Sequence, residues 1–187
     1  MRAFLAIEID DSIKNTISKL VDKLSSFEEG ISWVKKEAMH LTLWFFEDLK
    51  EEELEYVIKI LENVSDETKP FEIEIKGTGF FGKRDFPKVF YLSIQGEKKS
   101  LRELYDKIEN GFKKIGFMPD KPFNPHLTLG RNKSGGSKRK IVSFLNDLND
   151  YSVGKEQVKN ITLFKSELQK SGAIHTPLRS FSFGVKG

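Results

Sequence analysis

The strongest constraint on this chain is a phrase it uses twice. His40-Leu41-Thr42-Leu43 and His126-Leu127-Thr128-Leu129 are identical and lie 86 positions apart. Only three histidines occur in the chain, and two of them open these tetrapeptides. Both copies sit in strand-like surroundings, and a helical pattern follows each within about ten residues. In an extended strand alternate side chains share a face, so His and Thr of each copy point one way and the two leucines the other. The leucines would enter a core while imidazole and hydroxyl meet in a cleft. Two such strands about a pseudo-two-fold axis would surround one small volume with four polar groups. That suits acid–base work at a phosphoryl centre: an imidazole on either side, and hydroxyls for the non-bridging oxygens.

Two blander readings compete. A lone His-x-Thr is more often a satisfied histidine at a sheet edge, but duplication in a chain this poor in histidine shifts the balance. Two histidines could also ligate zinc, yet neither tetrapeptide holds a carboxylate and no third ligand is evident. No metal and no cofactor are therefore expected.

The rest of the chain reads as short strands interleaved with amphipathic helices. Residues 2–9 alternate as a strand. Asp10 or Asp11 can then cap a helix carrying Ile13, Ile17, Leu20, Val21, Leu24 and Phe27, which Gly30 ends. Strands are predicted at 31–35 and 40–46, and a helix from Lys50 with Leu54, Val57, Ile58, Leu61 and Val64 on one face. Residues 70–76 alternate strictly. Gly77 to Phe86 reads as a glycine-rich aromatic loop before a strand at 89–94. Ser100 and Glu103 have capping-box spacing at the head of a third helix, which Gly116 ends. A basic, flexible stretch at 132–140 leads into a fourth helix, and strands near 156–168 and 174–184 close the chain. This order predicts an α+β fold: a single two-lobed domain over 1–187, its antiparallel sheets lining a central cleft with helices packed outside.

Composition narrows the chemistry. Sixteen phenylalanines within a 38% hydrophobic content supply a real core, and the absence of cysteine excludes disulfides, thiolate nucleophiles and Cys-based metal sites. A net charge of +3 is weak evidence for a nucleic-acid partner. No stretch is apolar for long enough to span a bilayer, and the start reads as a strand, so the cytoplasm is the expected compartment. A monomer is expected.

At the duplicated residues the sequence resembles the two-histidine phosphoesterase superfamily. Within it, the likeness is to the RNA 2′,3′-cyclic phosphodiesterase family, also called the bacterial and archaeal 2′-5′ RNA ligase family. Arg2 to Ile9 resembles its opening strand, and His40 to Leu43 with Phe45-Phe46 its first signature. Gly79-Phe80-Phe81 with Pro87-Lys88-Val89 is similar to its middle segment, Pro125 to Arg131 to its second signature, and Ser166 to Ala173 to its closing hairpin. The resemblance implies a bilobal fold and opening of a 2′,3′-cyclic phosphate at an RNA 3′ end, tRNA fragments among the candidates, to a 2′-phosphate. It implies His126 as proton acceptor from water and His40 as proton donor to the departing 3′ oxygen, with Thr42 and Thr128 on the phosphate oxygens. Reversible 2′-5′ ligation at the same site, and a non-catalytic RNA-binding module, are the alternatives.

Three further residues carry weaker signals. Arg131 is off the His–Thr face by strict alternation, although a bend at Gly130 could turn it toward phosphate. Phe80, Phe81 and Phe86 interleave with Lys83 and Arg84, a pattern suited to stacking on a base, and Phe80 is the substrate-binding candidate. His175 stands where the family often has a tyrosine. A packing role is the plainer reading; facing the cleft, it would touch RNA.

Overall fold

A computed structural model describes residues 1–184; the last three residues of the expected span 1–187 lie outside it. The elements run β1 (Ala3–Glu8), α1 (Asp11–Ser25), β2 (Ile31–Trp33), a 3₁₀ turn (Lys36–Ala38), β3 (His40–Phe46), α2 (Glu51–Asp66) and β4 (Phe71–Lys83). They continue with β5 (Phe86–Gly96), α3 (Lys98–Lys113), β6 (His126–Asn132), α4 (Arg139–Asp147), β7 (Ser152–Val158), β8 (Asn160–Gln169) and β9 (Gly172–Ser182). Helix α1 shows how the pattern becomes structure. Its residues Ile13, Ile17, Val21 and Leu24 recur near every 3.6 positions and all four are buried. At roughly 1.5–3 kcal/mol per buried aliphatic side chain, that stripe rather than its end fixes the helix, since Asp10 makes no side-chain cap. Ile17→Ala would cost about 2–5 kcal/mol.

Two antiparallel sheets form, in the orders β3-β1-β8-β9 and β2-β6-β5-β4-β7. With β2 set aside, they correspond strand for strand: β3 to β6, β1 to β5, β8 to β4 and β9 to β7. The unit β1-α1-β3-α2 thus repeats as β5-α3-β6-α4, as the duplicated tetrapeptides predict. The helices, however, cross over. Helix α1 leaves β1 of the first sheet and packs against β2 and β7 of the second. Helix α3 leaves β5 of the second sheet and backs the first, where Trp44 of β3 meets Tyr105 at 6.1 Å and Phe112 at 5.2 Å between ring centroids. Helix α2 joins α3 and β9, while α4 lies on β4 and touches α1 where Lys23 sits over the Phe144 ring, with Phe27 just past the end of α1 edge-on to the same ring. Each sheet is therefore backed by one helix from either half of the chain, and the buried side chains form one continuous cluster.

Three expectations need correction. Glycine content makes Gly77–Phe86 look like a loop, yet β4 runs on to Lys83. Gly77 and Gly82 take positive φ of 88° and 102° beside the two pairing irregularities of β4, so they kink the strand without ending it. The single strand expected near 156–168 is two. Lys159 separates β7 in one sheet from β8 in the other, a change of partner that apolar alternation does not register. Helix α3 starts at Lys98, so Ser100 lies inside it and its hydroxyl donates to Glu97 instead of capping the helix. The carboxylate closing a helix start is Glu53 of α2, which accepts from the Lys50 N–H at 2.9 Å.

Candidate active site

Both tetrapeptides lie on strands with the expected alternation. Leu41, Leu43, Leu127 and Leu129 are buried, His40, His126 and Thr128 half-buried, and Thr42 exposed. β3 and β6 belong to different sheets but touch each other, and each turns its His–Thr face away from its buried leucines. The copies also share a pairing irregularity. Ala6 pairs with Thr42 and Leu5 with Trp44; Tyr91 pairs with Thr128 and Phe90 with Gly130. Leu43 and Leu129 are the extra residues, so each strand bulges one position past its threonine. The bulge flips parity, and Arg131 lands on the exposed side that Thr128 faces rather than the core side. Phe45 is its counterpart on β3, exposed by 37%, with the Arg2 guanidinium 5.3 Å from its ring.

The His40 half is dry and aromatic. Its imidazole stacks on Phe4 at 4.6 Å and 22°, with Phe164 at 6.3 Å behind. His175 sits edge-on to both His40, at 5.5 Å, and Phe4, at 4.8 Å. Register accounts for this: His175 of β9 pairs with Ser166 of β8, two positions along from the Phe164 that pairs with Phe4. No hydrogen bond to another described residue holds the His40 ring. Burial pushes its pKa down to about 4, helped by the neighbouring His175 and the Lys14 ammonium. Burial also lowers His175, whose Nδ1 is enclosed without a hydrogen-bond partner among the described residues.

The His126 half is polar. Nδ1 of His126 lies 2.6 Å from the Asn124 carbonyl oxygen. A carbonyl only accepts, so Nδ1 carries the proton and Nε2 of the neutral ring offers its lone pair. Burial lowers this pKa, the Asn124 hydrogen bond opposes the shift, and Lys121 and Arg131 add to it. Phe81 meets the ring edge-on at 4.9 Å, and Tyr91 lies 5.4 Å away. Gly79 makes room for that tyrosine: a Cβ there would fall 2.5 Å from the phenol oxygen.

The structure thus brings His40, Thr42, His126, Thr128 and Arg131 onto the faces of two touching strands turned away from the buried leucines, with His175 beside His40. It does not bring Phe80. That residue pairs with the fully buried Phe90 and packs on the core, while Phe81, one position on, faces the histidine. Phe4, Tyr91 and Asn124 escaped the sequence reading. Phe4 and Tyr91 carry no motif, only a position two residues along a strand from Ala6, which pairs with Thr42, and from Ser93, which pairs with His126. Among the described residues no group of three or more His, Asp or Glu side chains could hold a metal ion. No helix among them is long and apolar enough to cross a membrane. Chemically, the cleft offers one imidazole with a free lone pair, a second whose protonation a bound anion would favour, two hydroxyls and a guanidinium.

Comparisons with known proteins agree with this picture. The family model described as the 2′-5′ RNA ligase superfamily matches residues 8–167. A Methanothermobacter thermautotrophicus protein named RNA 2′,3′-cyclic phosphodiesterase is 31% identical over 97% of this chain and 98% of its own. An Archaeoglobus fulgidus protein of the same name is 32% identical over 97% and 99%. Among solved structures, a Thermus thermophilus protein superposes with a TM-score of 0.84 at 27% identity, covering all of both chains. E. coli LigT complexed with 3′-AMP, at 21% identity and 97% coverage of each chain, shares the fold with a TM-score of 0.80. A matched family model over most of the chain, two near-full-length relatives and a shared bilobal fold place this protein in the 2′-5′ RNA ligase superfamily.

Proposed function

We propose that the protein hydrolyses 2′,3′-cyclic phosphate ends of RNA to 2′-phosphates, by acid–base catalysis between His126 and His40 without a metal. The observation that carries this reading is the pair of imidazoles on pseudo-equivalent, touching strands, one of them with its tautomer fixed by a carbonyl. Relatives named RNA 2′,3′-cyclic phosphodiesterase over nearly the whole chain support the reaction class.

In this mechanism Nε2 of His126 takes a proton from water as its oxygen bonds to phosphorus. The P–O3′ bond breaks on the opposite side, and His40 gives its proton to the departing 3′ oxygen. The two histidines end in exchanged protonation states, which solvent resets. Thr42 and Thr128 hydrogen-bond the non-bridging oxygens, and Arg131 balances their charge. His40 alone is neutral at pH 7. The phosphate monoanion beside it raises its proton affinity, so binding the substrate arms the acid. The chain works as one two-lobed unit, a cytoplasmic monomer in this reading, on RNA ends that include tRNA fragments.

The test is turnover of an oligonucleotide ending in a 2′,3′-cyclic phosphate with excess EDTA present. A 2′-phosphate end is expected. Activity abolished by EDTA would defeat the metal-free mechanism, and binding without turnover would favour an RNA-binding module.

A further inference from the structure

The hydrolytic mechanism leaves unused the basic stretch that runs from the end of β6 into α4. Although glycine-rich, this loop is pinned. Lys133 and Ser134 donate their N–H groups to the Gly30 carbonyl at 2.9 and 3.3 Å. The Asn132 amide donates to the Pro87 and Gly136 carbonyls at 3.0 and 2.8 Å. Arg139, at the head of α4, reaches Asp85 in the turn between β4 and β5 at 3.8 Å. Lys133 and Lys140 are exposed and make no ion pair with a described residue. Next to the loop, a pocket of about 480 Å³ lies between the end of α1 and α4, walled by Phe27, Arg139, Lys140, Ser143, Phe144 and Asp147. Phe27 meets Phe144 edge-on at 5.1 Å, and the Lys23 ammonium sits 4.9 Å over the Phe144 ring. The neighbouring Glu28 carboxylate accepts from the Ile141 N–H at 3.4 Å. Half-buried rings with cations on one wall fit a single-stranded nucleic acid: a base for the rings, phosphates for the cations. Asp147 stands roughly two turns along α4 from Arg139, and its charge confines phosphate to the Arg139–Lys140 side.

Charge along the second sheet connects this pocket to the reacting end. β4 opens with Glu72 and Glu74 and ends at Lys83, while β5 has Lys88 near its start and Glu97 just past its end. The two strands are antiparallel, so their acidic ends lie together and their basic ends lie together. Arg131 belongs to the basic end, because it pairs with Val89. At the acidic end Lys155 is paired with Glu72 at 3.7 Å. A polyanion whose 3′ end sits at the histidines is therefore drawn out past Arg131. Lys133 follows two residues on, bonded to Gly30, and Gly30 is three residues from Phe27. We propose that the body of the substrate RNA, the strand 5′ of its cyclic end, passes Arg131 and Lys133 and seats a base in the Phe27–Phe144 pocket, with backbone phosphates on Arg139 and Lys140. The inference rests on the hydrolytic reading above and gives that reaction a preferred substrate: an RNA with a single-stranded 3′ tail rather than a cyclic mononucleotide.

The experiment measures kcat/KM of the full-length protein on single-stranded 2′,3′-cyclic-phosphate substrates of growing length, starting from a mononucleoside, and the salt dependence of binding of the longest. For wild type kcat/KM should climb with length by about tenfold or more and level off once the pocket is filled. In K133A/K140A most of the climb should vanish, and the salt slope should drop by about 1.4, from two single-strand phosphate contacts. Hydrolysis of the mononucleoside should stay within about twofold, because neither lysine touches the reacting atoms. F144L, which keeps apolar bulk but loses the flat ring, should cost the long substrates about fivefold and leave the salt slope unchanged. A wild-type kcat/KM that is flat with length, a K133A/K140A defect equal at every length, or an unchanged salt slope in that variant would each overturn the proposal while leaving hydrolysis intact. A wild-type protein that hydrolyses none of the substrates would defeat the earlier reading, and this one with it.

Discussion

His40 lies among Phe4, Phe164 and His175 with no hydrogen bond to a described residue, whereas His126 is tied to a carbonyl 2.6 Å away. The tetrapeptides are identical, the bulges equivalent and the strand partners matched. The difference comes from what the paired strands put beside each ring. Ser93 faces His126, while its counterpart facing His40 is Glu8, whose carboxylate is engaged by the Thr162 hydroxyl at 2.9 Å. Two copies of one motif thus acquire distinct surroundings from their neighbours.

The largest test of that asymmetry is removal of either histidine. His40→Ala and His126→Ala should each lower kcat by roughly 10²–10⁴. They should part on a substrate whose bridging 3′ oxygen is replaced by sulfur. A thiolate leaves without a proton, so His40→Ala should recover on it and His126→Ala should not. Equal recovery would erase the division of labour.

Protonation should separate the halves next. A histidine whose folded pKa lies below its unfolded one stabilises the fold above about pH 6.5, and that stability fades as pH falls toward the folded value. For His40 the window runs from about 6.5 down to about 4, and the loss is on the order of 2–3 kcal/mol. Chemical denaturation of wild type and His40→Ala at pH 7 and pH 4 should show the variant losing less. Imidazole NMR should place His40 near 4 in the free protein and higher with inorganic phosphate bound. The optimum of kcat/KM, which reports the free enzyme, should lie on the acid side of 6.5. An NMR titration of His40 at 6.5 would remove the dry half's special character.

A smaller effect belongs to the His126 wall. Gly79→Ala should push Tyr91 off its seat and lower kcat by roughly tenfold while leaving stability nearly unchanged, because the clash is with a side-chain end. Smallest is the contrast between neighbours: Phe81→Leu should reduce activity, and Phe80→Leu should only lower stability, by under about 1.5 kcal/mol. The reverse outcome would mean that β4 pairs in the other register.

What the sequence made legible is local. Alternation at 40–43 and 126–129 was enough to place His with Thr and bury the leucines, and helical periodicity located all four helices. What stayed hidden is a property of partners. No residue type announces the bulges at Leu43 and Leu129, because a bulge exists only against the neighbouring strand. Without it Arg131 counts onto the wrong face. Phe80 and Phe81 are indistinguishable by composition, and only pairing with Phe90 and Val89 decides which meets His126. The edge-on approach of His175 depends on a hairpin more than 130 residues from His40 in the chain.

The crossed helices have a consequence for synthesis on the ribosome. β1 emerges well before β8, which closes one of its two edges, and α3, which backs the same sheet, begins about ninety residues after β1. β1 must therefore wait, with that edge exposed, until β8 has been made. A fragment cut between the two repeats would hold half of each wall and half of each backing layer. Two such fragments could complete each other only by exchanging helices, as in a domain-swapped dimer.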